Sequence, residues 1–169
     1  MYQVSIQQVF GNTNIAVNNL VFDSRKVKEN DVFIAQKGFS VDGHLYINKA
    51  IELGAKTIIC EDFPTDKKQD ITYIQVTDAN IALAIMASNF YENPSSKLQL
   101  VGVTGTNGKT TVASLLYQLF KKAGYKVGLL STVKILVDET EFKATHTTPD
   151  SVTINFYLDK MIEAGVDFC

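Results

Sequence analysis

The chain has 169 residues, of which 46% are hydrophobic and 20% are charged. Sixteen basic and eighteen acidic residues give a formal charge of −2, which argues against nucleic-acid binding driven by overall charge but not against a local phosphate site. The composition excludes a disordered chain and a disulfide-rich scaffold, and the length suffices for one domain or two small ones.

The cysteines and the N-terminus indicate a reducing compartment. Cys60 and Cys169 each lie in an apolar run and form neither a metal-binding pattern nor a disulfide framework, so we expect free thiols. No segment approaches the roughly 18 apolar residues that a membrane helix needs, and the first residues lack the features of a signal peptide. We therefore expect a cytoplasmic protein with neither a membrane nor a nucleic-acid partner.

The first half of the chain alternates apolar runs with helix-period stretches. Strands are predicted at residues 32–35, 57–60 and 73–76. Helices are predicted at residues 45–53, closed by Gly54, and from a cap at Asp78 to about Tyr91. The faces of these helices would carry Ile47, Ala50 and Ile51 in the first, and Ile81, Ala84, Ile85 and Ser88 in the second. This order is typical of a small α/β unit.

The segment 93–97, Asn-Pro-Ser-Ser-Lys, combines a proline with small polar residues and no apolar anchor. It predicts a linker between a first domain at residues 1–92 and a second at residues 98–169. A surface loop within a single domain is the alternative.

A second α/β series follows residue 98. Strands are predicted at residues 100–103 and 126–131, and a hairpin from 133–137 and 141–144. A helix from about Lys109 to Ala123 is expected to bury a stripe of Val112, Leu115, Leu116 and Leu119, and a last helix, capped by Thr148 with Pro149 at its first position, would end at Gly165. Residues 166–169 resemble the opening of a parallel strand, which needs neighbours, so we expect a longer protein.

The most specific pattern is the run GVTGTNGKTT at residues 102–111, between a predicted strand and a predicted helix. Glycines allow a tight backbone whose N–H groups point at phosphate oxygens, and the helix N-terminus adds its positive dipole. Lys109 would reach the β- and γ-phosphates, and the Thr110 hydroxyl would bind Mg²⁺. The common pattern has glycine where this chain has Val103, so the loop is a variant.

Residues 104–111 resemble the nucleotide loop of the Mur ligases and their folylpolyglutamate synthetase relatives, which use ATP to activate a carboxylate as an acyl phosphate for attack by an amine. The segments Asp23-Ser24-Arg25, 30–35 and Asp42-Gly43-His44 resemble the N-terminal domain of two branches of this family. The resemblance implies an α/β fold, with a small N-terminal nucleotide-sugar-binding domain followed by the first part of a P-loop α/β ATPase domain.

Two segments distinguish the branches. The dipeptide-adding branch usually has a serine-containing loop where this chain has Thr106-Asn107, and Thr147-Thr148-Pro149 resembles the branch that adds the third amino acid. The resemblance therefore implies a ligase of peptidoglycan synthesis that adds diaminopimelate or lysine to UDP-N-acetylmuramoyl-L-alanyl-D-glutamate. The alternatives are the dipeptide-adding ligase, a folylpolyglutamate synthetase-like ligase and, from another class, a binding module that only hydrolyses nucleotide.

The resemblance also implies roles for individual residues. ATP would be bound by Gly105, Thr106, Asn107, Gly108, Lys109, Thr110 and Thr111. Ser24 would hydrogen-bond the uridine diphosphate part of the substrate, in a pocket lined by Phe22, Phe39, Ser40 and Val41. The muramoyl-dipeptide would be contacted by His146, Thr147 and Thr148. His44 is expected to pack at a helix start, since no spacing of acidic residues or cysteines supports a metal site shared by the two histidines.

In the family, a Mg²⁺-holding glutamate, a histidine, a carbamylated lysine and the domain for the incoming amino acid would lie past Cys169. We therefore expect that this chain alone does not catalyse the ligation. The amino acid that is added and the oligomeric state are not determined by these residues.

Overall fold

The computed structural model describes residues 4–38, 41–143 and 149–169. The chain divides into two compact units, Met1–Met86 and Ala87–Cys169, and the division falls inside a helix. Each unit has a sheet of its own. Within the described residues, no helix is both long and apolar enough to span a bilayer.

The first unit contains a five-stranded sheet in the order β1-β5-β4-β3-β2. Its strands are β1 (Ile6–Phe10), β2 (Leu20–Val21), β3 (Val32–Ile34), β4 (Thr57–Cys60) and β5 (Thr72–Val76). Strands β2 to β5 run parallel, whereas β1 is an antiparallel edge strand. The structure confirms the strands predicted at β3, β4 and β5. The sequence analysis missed β1, whose five residues are all exposed, and β2, which is only two residues long.

Two helices accompany this sheet, α1 (Ile47–Glu52) and α2 (Ala79–Phe90). As predicted, α1 buries Ile47 and Ala50, and the chain leaves it through Gly54 at a φ of 111°. The side chain of Ala50 packs in one core with Phe33, Ile58 and Tyr73 from the sheet.

Helix α2 begins at the predicted cap, since Asp78 Oδ1 accepts hydrogen bonds from the N–H groups of Asn80 at 2.8 Å and Ile81 at 2.9 Å. The predicted buried face is wrong. The buried side chains are Ala79, Ala82, Leu83 and Ala87, whereas Ala84 is exposed and Ile81, Ile85 and Ser88 are half-buried. Nine of the twelve residues of α2 are apolar, so hydrophobic periodicity distinguishes its faces poorly.

The second unit contains an antiparallel sheet in the order β6-β7-β8 and two longer helices. The elements are α3 (Lys109–Lys122), β6 (Gly128–Leu130), β7 (Lys134–Val137), β8 (Thr140–Lys143) and α4 (Ser151–Glu163). The predicted hairpin is confirmed, with Asp138 at a φ of 50° in its turn. Leu158 and Met161 of α4 pack in one core with Val137 of β7 and with Val166.

The segment predicted as a linker forms a 3₁₀ turn at Pro94–Ser96 that packs on α4. Pro94 is fully buried, so this segment has the apolar anchor that the sequence analysis did not find. The boundaries of the proposed domains, at residues 92 and 98, stay a prediction.

The predicted strand at residues 100–103 is not formed as a strand in the described residues. Backbone hydrogen bonds instead join Gln99 and Val101 to the end of the chain: Cys169 N–H donates to the Gln99 carbonyl at 2.9 Å, and Val101 N–H donates to the Cys169 carbonyl at 2.8 Å. Phe168 forms parallel bridges to both Gln99 and Val127. The expected parallel pairing of residues 166–169 is therefore present, but only as single bridges.

Two predictions about the helices of the second unit are wrong. Of the stripe predicted for α3, Val112, Leu115 and Leu119 are 45%, 59% and 62% exposed, whereas Leu116 is half-buried. The helix turns the face that includes Leu116 towards β6, and no element of the described chain covers the other three side chains. Helix α4 is capped by Asp150 rather than Thr148. The Asp150 carboxylate accepts hydrogen bonds from both the N–H and the hydroxyl of Thr153, at 2.9 and 2.7 Å.

Candidate functional site

The glycine-rich segment of the second unit forms an exposed loop that ends where α3 begins, at Lys109. Gly105 has a φ of 147° and Gly108 a φ of 78°, both in the region that residues with a side chain rarely adopt. Val103, which replaces the glycine of the common pattern, is half-buried. The backbone therefore needs glycine at positions 105 and 108 but not at 103.

Backbone donors at the start of α3 are available for a ligand. In the described chain, the N–H groups of Lys109, Thr110 and Thr111 donate to no acceptor, as is usual for the first turn of a helix. Gly108 offers no side chain to cap them, and the first turn contains no acidic residue. The positive end of the helix dipole is thus open to an anion.

The Lys109 ammonium group folds back over this loop. Its Nζ donates to the carbonyl oxygens of Gly105 at 2.5 Å and Thr106 at 3.3 Å. A phosphate oxygen is a stronger acceptor than a neutral carbonyl, so a bound phosphate would compete well for these donor hydrogens. The segment therefore supplies a cation as well as free N–H groups.

A cavity of about 410 Å³ lies between α3 and β6, beside the loop. Its walls are mostly apolar and include Ala113, Leu116, Tyr117 and Phe120, the face of α3 opposite the exposed stripe. Its polar lining consists of Lys109, Thr110, Ser131 and Thr132. The sequence analysis missed Ser131 and Thr132. Their position at the end of a predicted strand is the signal that could have indicated them.

In the first unit, the carboxyl ends of β2 to β5 lie along one edge of the sheet because these strands are parallel. Open α/β sheets bind ligands at this edge. Phe22 and Ser24 follow β2 there, and Val41 lies in the loop that follows β3. Ser24 is buried, whereas Phe22 and Val41 are exposed apolar side chains. The other predicted site residues, Phe39, Ser40, His146, Thr147 and Thr148, lie outside the described residues.

Ser24 lies in a 3₁₀ turn that an ion pair stabilises. The Asp23 carboxylate accepts from Arg25 Nε at 2.9 Å and from Arg25 Nη2 at 2.8 Å, and it also accepts from the Arg25 N–H. The hydrogen bond from the guanidinium is the largest cause that lowers the pKa of Asp23 to about 2. The turn is thus held in one conformation around the buried serine.

The remaining candidates behave as expected. His44 lies in the 3₁₀ turn Gly43–Tyr46 that leads into α1. Cys60 and Cys169 are free thiols, and burial raises the pKa of each to about 11.

Two protein-family models match the chain. The model for the Mur ligase family, catalytic domain, matches residues 16–91, and the model for the Mur ligase middle domain matches residues 103–169. The UDP-N-acetylmuramoyl-L-alanyl-D-glutamate–2,6-diaminopimelate ligase of Cytophaga hutchinsonii is 51% identical over 170 residues, which are 100% of this chain and 35% of that protein. The ligase of the same name from Bacteroides fragilis is 47% identical and covers 95% of this chain and 33% of its own length. The chain thus spans about a third of the length of these relatives.

Solved structures of ligases show the same fold. A UDP-N-acetylmuramoyl-L-alanyl-D-glutamate–2,6-diaminopimelate ligase superposes with a TM-score of 0.71 at 21% identity, over 90% of this chain and 31% of that one. The MurF ligase of Thermotoga maritima in complex with ADP gives a TM-score of 0.51 at 34% identity, over 66% of this chain and 25% of that one. The predicted α/β class is therefore confirmed.

Proposed function

The chain belongs to the Mur ligase family, and on that premise we propose that it is the first part of an ATP-dependent ligase that adds the third amino acid to UDP-N-acetylmuramoyl-L-alanyl-D-glutamate. The observation that carries this proposal is the 51% identity, along the whole chain, to the Cytophaga hutchinsonii ligase of that specificity. The names of such relatives favour diaminopimelate over lysine. The reaction would serve peptidoglycan synthesis in the cytoplasm.

We assign ATP to the loop of the second unit. The free N–H groups of Lys109, Thr110 and Thr111 and the positive end of α3 would bind the terminal phosphates, with Gly105, Thr106, Asn107 and Gly108 forming the loop around them. The Lys109 ammonium would exchange its loop carbonyls for phosphate oxygens and so neutralise charge where the γ-phosphate is transferred.

The Thr110 hydroxyl is the ligand that this chain would offer to Mg²⁺. Mg²⁺ is usually held by one or two protein oxygens together with phosphates and water, so a single hydroxyl beside the phosphate loop fits that ion. When bound, the ion would shield the charge between the nucleotide and the acceptor carboxylate. Attack of the carboxylate on the γ-phosphate would give an acyl phosphate and release ADP, and the amine of the incoming amino acid would then displace phosphate and lose a proton to give the amide.

We assign the uridine diphosphate part of the substrate to the first unit, within the proposed domain of residues 1–92. The buried Ser24 hydroxyl would hydrogen-bond it at the carboxyl edge of the sheet, beside Phe22 and Val41. Phe39 and Ser40 would line the same pocket, and His146, Thr147 and Thr148 would contact the muramoyl-dipeptide. The proposed linker at 93–97 and the domain at 98–169 complete this arrangement.

Calorimetry on the 169-residue chain tests both assignments. ATP with Mg²⁺ is expected to bind the wild type, and Lys109→Ala is expected to abolish detectable ATP binding while leaving the affinity for UDP-N-acetylmuramoyl-L-alanyl-D-glutamate unchanged. Ser24→Ala should give the converse result, a loss of affinity for the uridine nucleotide alone. Unchanged ATP affinity in Lys109→Ala would contradict the assignment of the loop.

The similarity to the ADP-bound MurF ligase keeps the dipeptide-adding reaction as a second candidate, and a folylpolyglutamate synthetase-like ligase is a more distant third. The mass of the product made by the longer enzyme distinguishes the three, since each adds a different group to a different acceptor. ATP hydrolysis that does not respond to the muramoyl-peptide would favour a binding module that only hydrolyses nucleotide.

A further inference from the structure

One side chain at the carboxyl edge of the first sheet has no part in the assignments above. The imidazole of His44 is largely enclosed, with 13% of its side-chain surface exposed. Its Nε2 accepts hydrogen bonds from the backbone N–H groups of Glu61 at 3.0 Å and Asp62 at 3.2 Å. These two residues directly follow β4, so His44 bonds to the end of the neighbouring strand.

The other ring nitrogen holds His44 to its own loop. Nδ1 lies 2.7 Å from Asp42 Oδ1, and the same carboxylate oxygen accepts from the His44 N–H at 2.9 Å. Because Nε2 accepts from two N–H groups, the ring proton belongs on Nδ1, from which it donates to Asp42. The neutral imidazole with its proton on Nδ1 satisfies both sides of this contact at once.

The loop that His44 follows is closed at its base. Gly43 N–H donates to the Gln36 carbonyl at 2.8 Å and Gly38 N–H to the Val41 carbonyl at 3.0 Å. A Cβ at Gly43 would lie 2.8 Å from the backbone of Gln36, so the two arms can approach this closely only with glycine there. The loop carries Val41, which we assigned to the uridine pocket.

A second contact ties the other arm of the loop to the same turn after β4. Lys37 Nζ lies 2.7 Å from Asp62 Oδ2 and 3.2 Å from Glu61 Oε2. The turn is itself fixed, since Glu61 Oε1 accepts from the N–H of Ala79 at the start of α2 and its carbonyl accepts from Gln75 Nε2. The loop is therefore bonded from both arms to a rigid part of the sheet edge.

We propose that His44 is a positioning residue for the uridine nucleotide site: its imidazole clamps residues 42–44, which directly follow Val41, to the carboxyl end of β4. This inference rests on the proposed function. A loop that is held in place before the substrate arrives loses less conformational entropy on binding, so the clamp raises affinity without touching the nucleotide. Lys37 adds an exposed and weaker contact.

Calorimetric titration of the 169-residue chain with UDP-N-acetylmuramoyl-L-alanyl-D-glutamate at pH 8 tests the clamp. We expect His44→Ala to weaken binding about tenfold, the effect of losing one or two hydrogen bonds. His44→Gln, which keeps an acceptor for the two N–H groups, should bind with an affinity between those of the wild type and His44→Ala.

Asp42→Asn provides a variant that keeps an acceptor for Nδ1 and is expected to fold. A neutral acceptor makes a weaker hydrogen bond than the carboxylate, so this variant should lose some affinity but less than His44→Ala. Wild-type affinity in His44→Ala, or an affinity of His44→Gln no higher than that of His44→Ala, would overturn the clamp while leaving the proposed function intact. Absence of binding by the wild type would instead overturn the proposed nucleotide site and the clamp with it.

Discussion

Gly102 and Gly108, at the two ends of the glycine-rich loop, differ in the backbone conformation that they adopt. Gly108 precedes α3 at a φ of 78°, whereas Gly102 lies six residues earlier at a φ that any residue can adopt. A Cβ at either position would meet no atom within 4 Å. Space is therefore available at both, and backbone conformation alone separates them.

This difference predicts the effects of alanine. Gly108→Ala should lower the free energy of unfolding of the second unit by about 1 kcal/mol, because the left-handed conformation strains a residue with a Cβ. Gly102→Ala is the matched control and should leave it nearly unchanged. Chemical denaturation measures both, and equal losses in the two variants would contradict the role of the φ angle.

The ionised carboxylate of a single residue, Asp23, makes the stability of the protein depend on pH. Its pKa of about 2 lies below the ordinary value of 3.8, so its contribution to stability is fully present above about pH 4 and is lost as the pH falls towards 2. Arg25→Met should raise the pKa of Asp23 towards 3.8, measured by carbon NMR of the carboxyl group. Lys26→Met, which removes the neighbouring but weaker cation, should change it much less; equal shifts would show that the paired geometry is unimportant.

Among the secondary-structure elements, the sequence predicted best those features that a few neighbouring residues specify. The cap at Asp78, the glycines after α1 and α4, the hairpin turn at Asp138 and the β-branched run of β4 each specify their structure within a few residues. The strand β1 could not be predicted because all five of its residues are exposed, so no alternation of buried and exposed side chains marks it. Its place in the sheet comes from pairing with β5, which is distant in sequence.

Helix faces were predicted less well, because burial depends on which element lies opposite. In α3 the strongest apolar stripe is exposed, and the face towards β6 carries Ala113 and Tyr117 instead. The candidate site shows the same limit. The sequence predicts the glycine-rich loop and Ser24 as site residues, which stays a prediction, whereas the partners of His44 depend on contacts between distant segments.

Two leucines on the helices of the second unit test which helix faces are buried. Leu119 of α3 is 62% exposed and Leu158 of α4 is 4% exposed. Leu158→Ala should cost about 3 kcal/mol of unfolding free energy, because it leaves a cavity. Leu119→Ala should cost less than about 0.5 kcal/mol. Urea denaturation of the two variants compares the same substitution in two surroundings, and a large loss at Leu119 would mean that α3 buries that face.

At the scale of the whole molecule, two units carry two sites for two parts of one proposed reaction. The first holds the edge assigned to the uridine nucleotide and the second the loop assigned to ATP. The chain spans about a third of the length of these relatives. Binding and catalysis are therefore expected to separate in this chain.

The corresponding experiment uses mass spectrometry. The purified 169-residue chain, with ATP, Mg²⁺, UDP-N-acetylmuramoyl-L-alanyl-D-glutamate and diaminopimelate, should form no tripeptide product, although calorimetry should detect both nucleotides bound. The longer enzyme serves as the positive control. Tripeptide formed by the chain alone would contradict the expectation that further residues complete the site.

The low reactivity of the thiols of Cys60 and Cys169 is useful for such measurements. A thiol with a pKa of about 11 is ionised in roughly one molecule in ten thousand at neutral pH, and maleimides react with the thiolate. Both natural cysteines should therefore label slowly. A reporter cysteine introduced at the exposed Leu45 would carry a fluorophore next to the loop that His44 holds, and its emission would follow that loop in the otherwise unmodified protein.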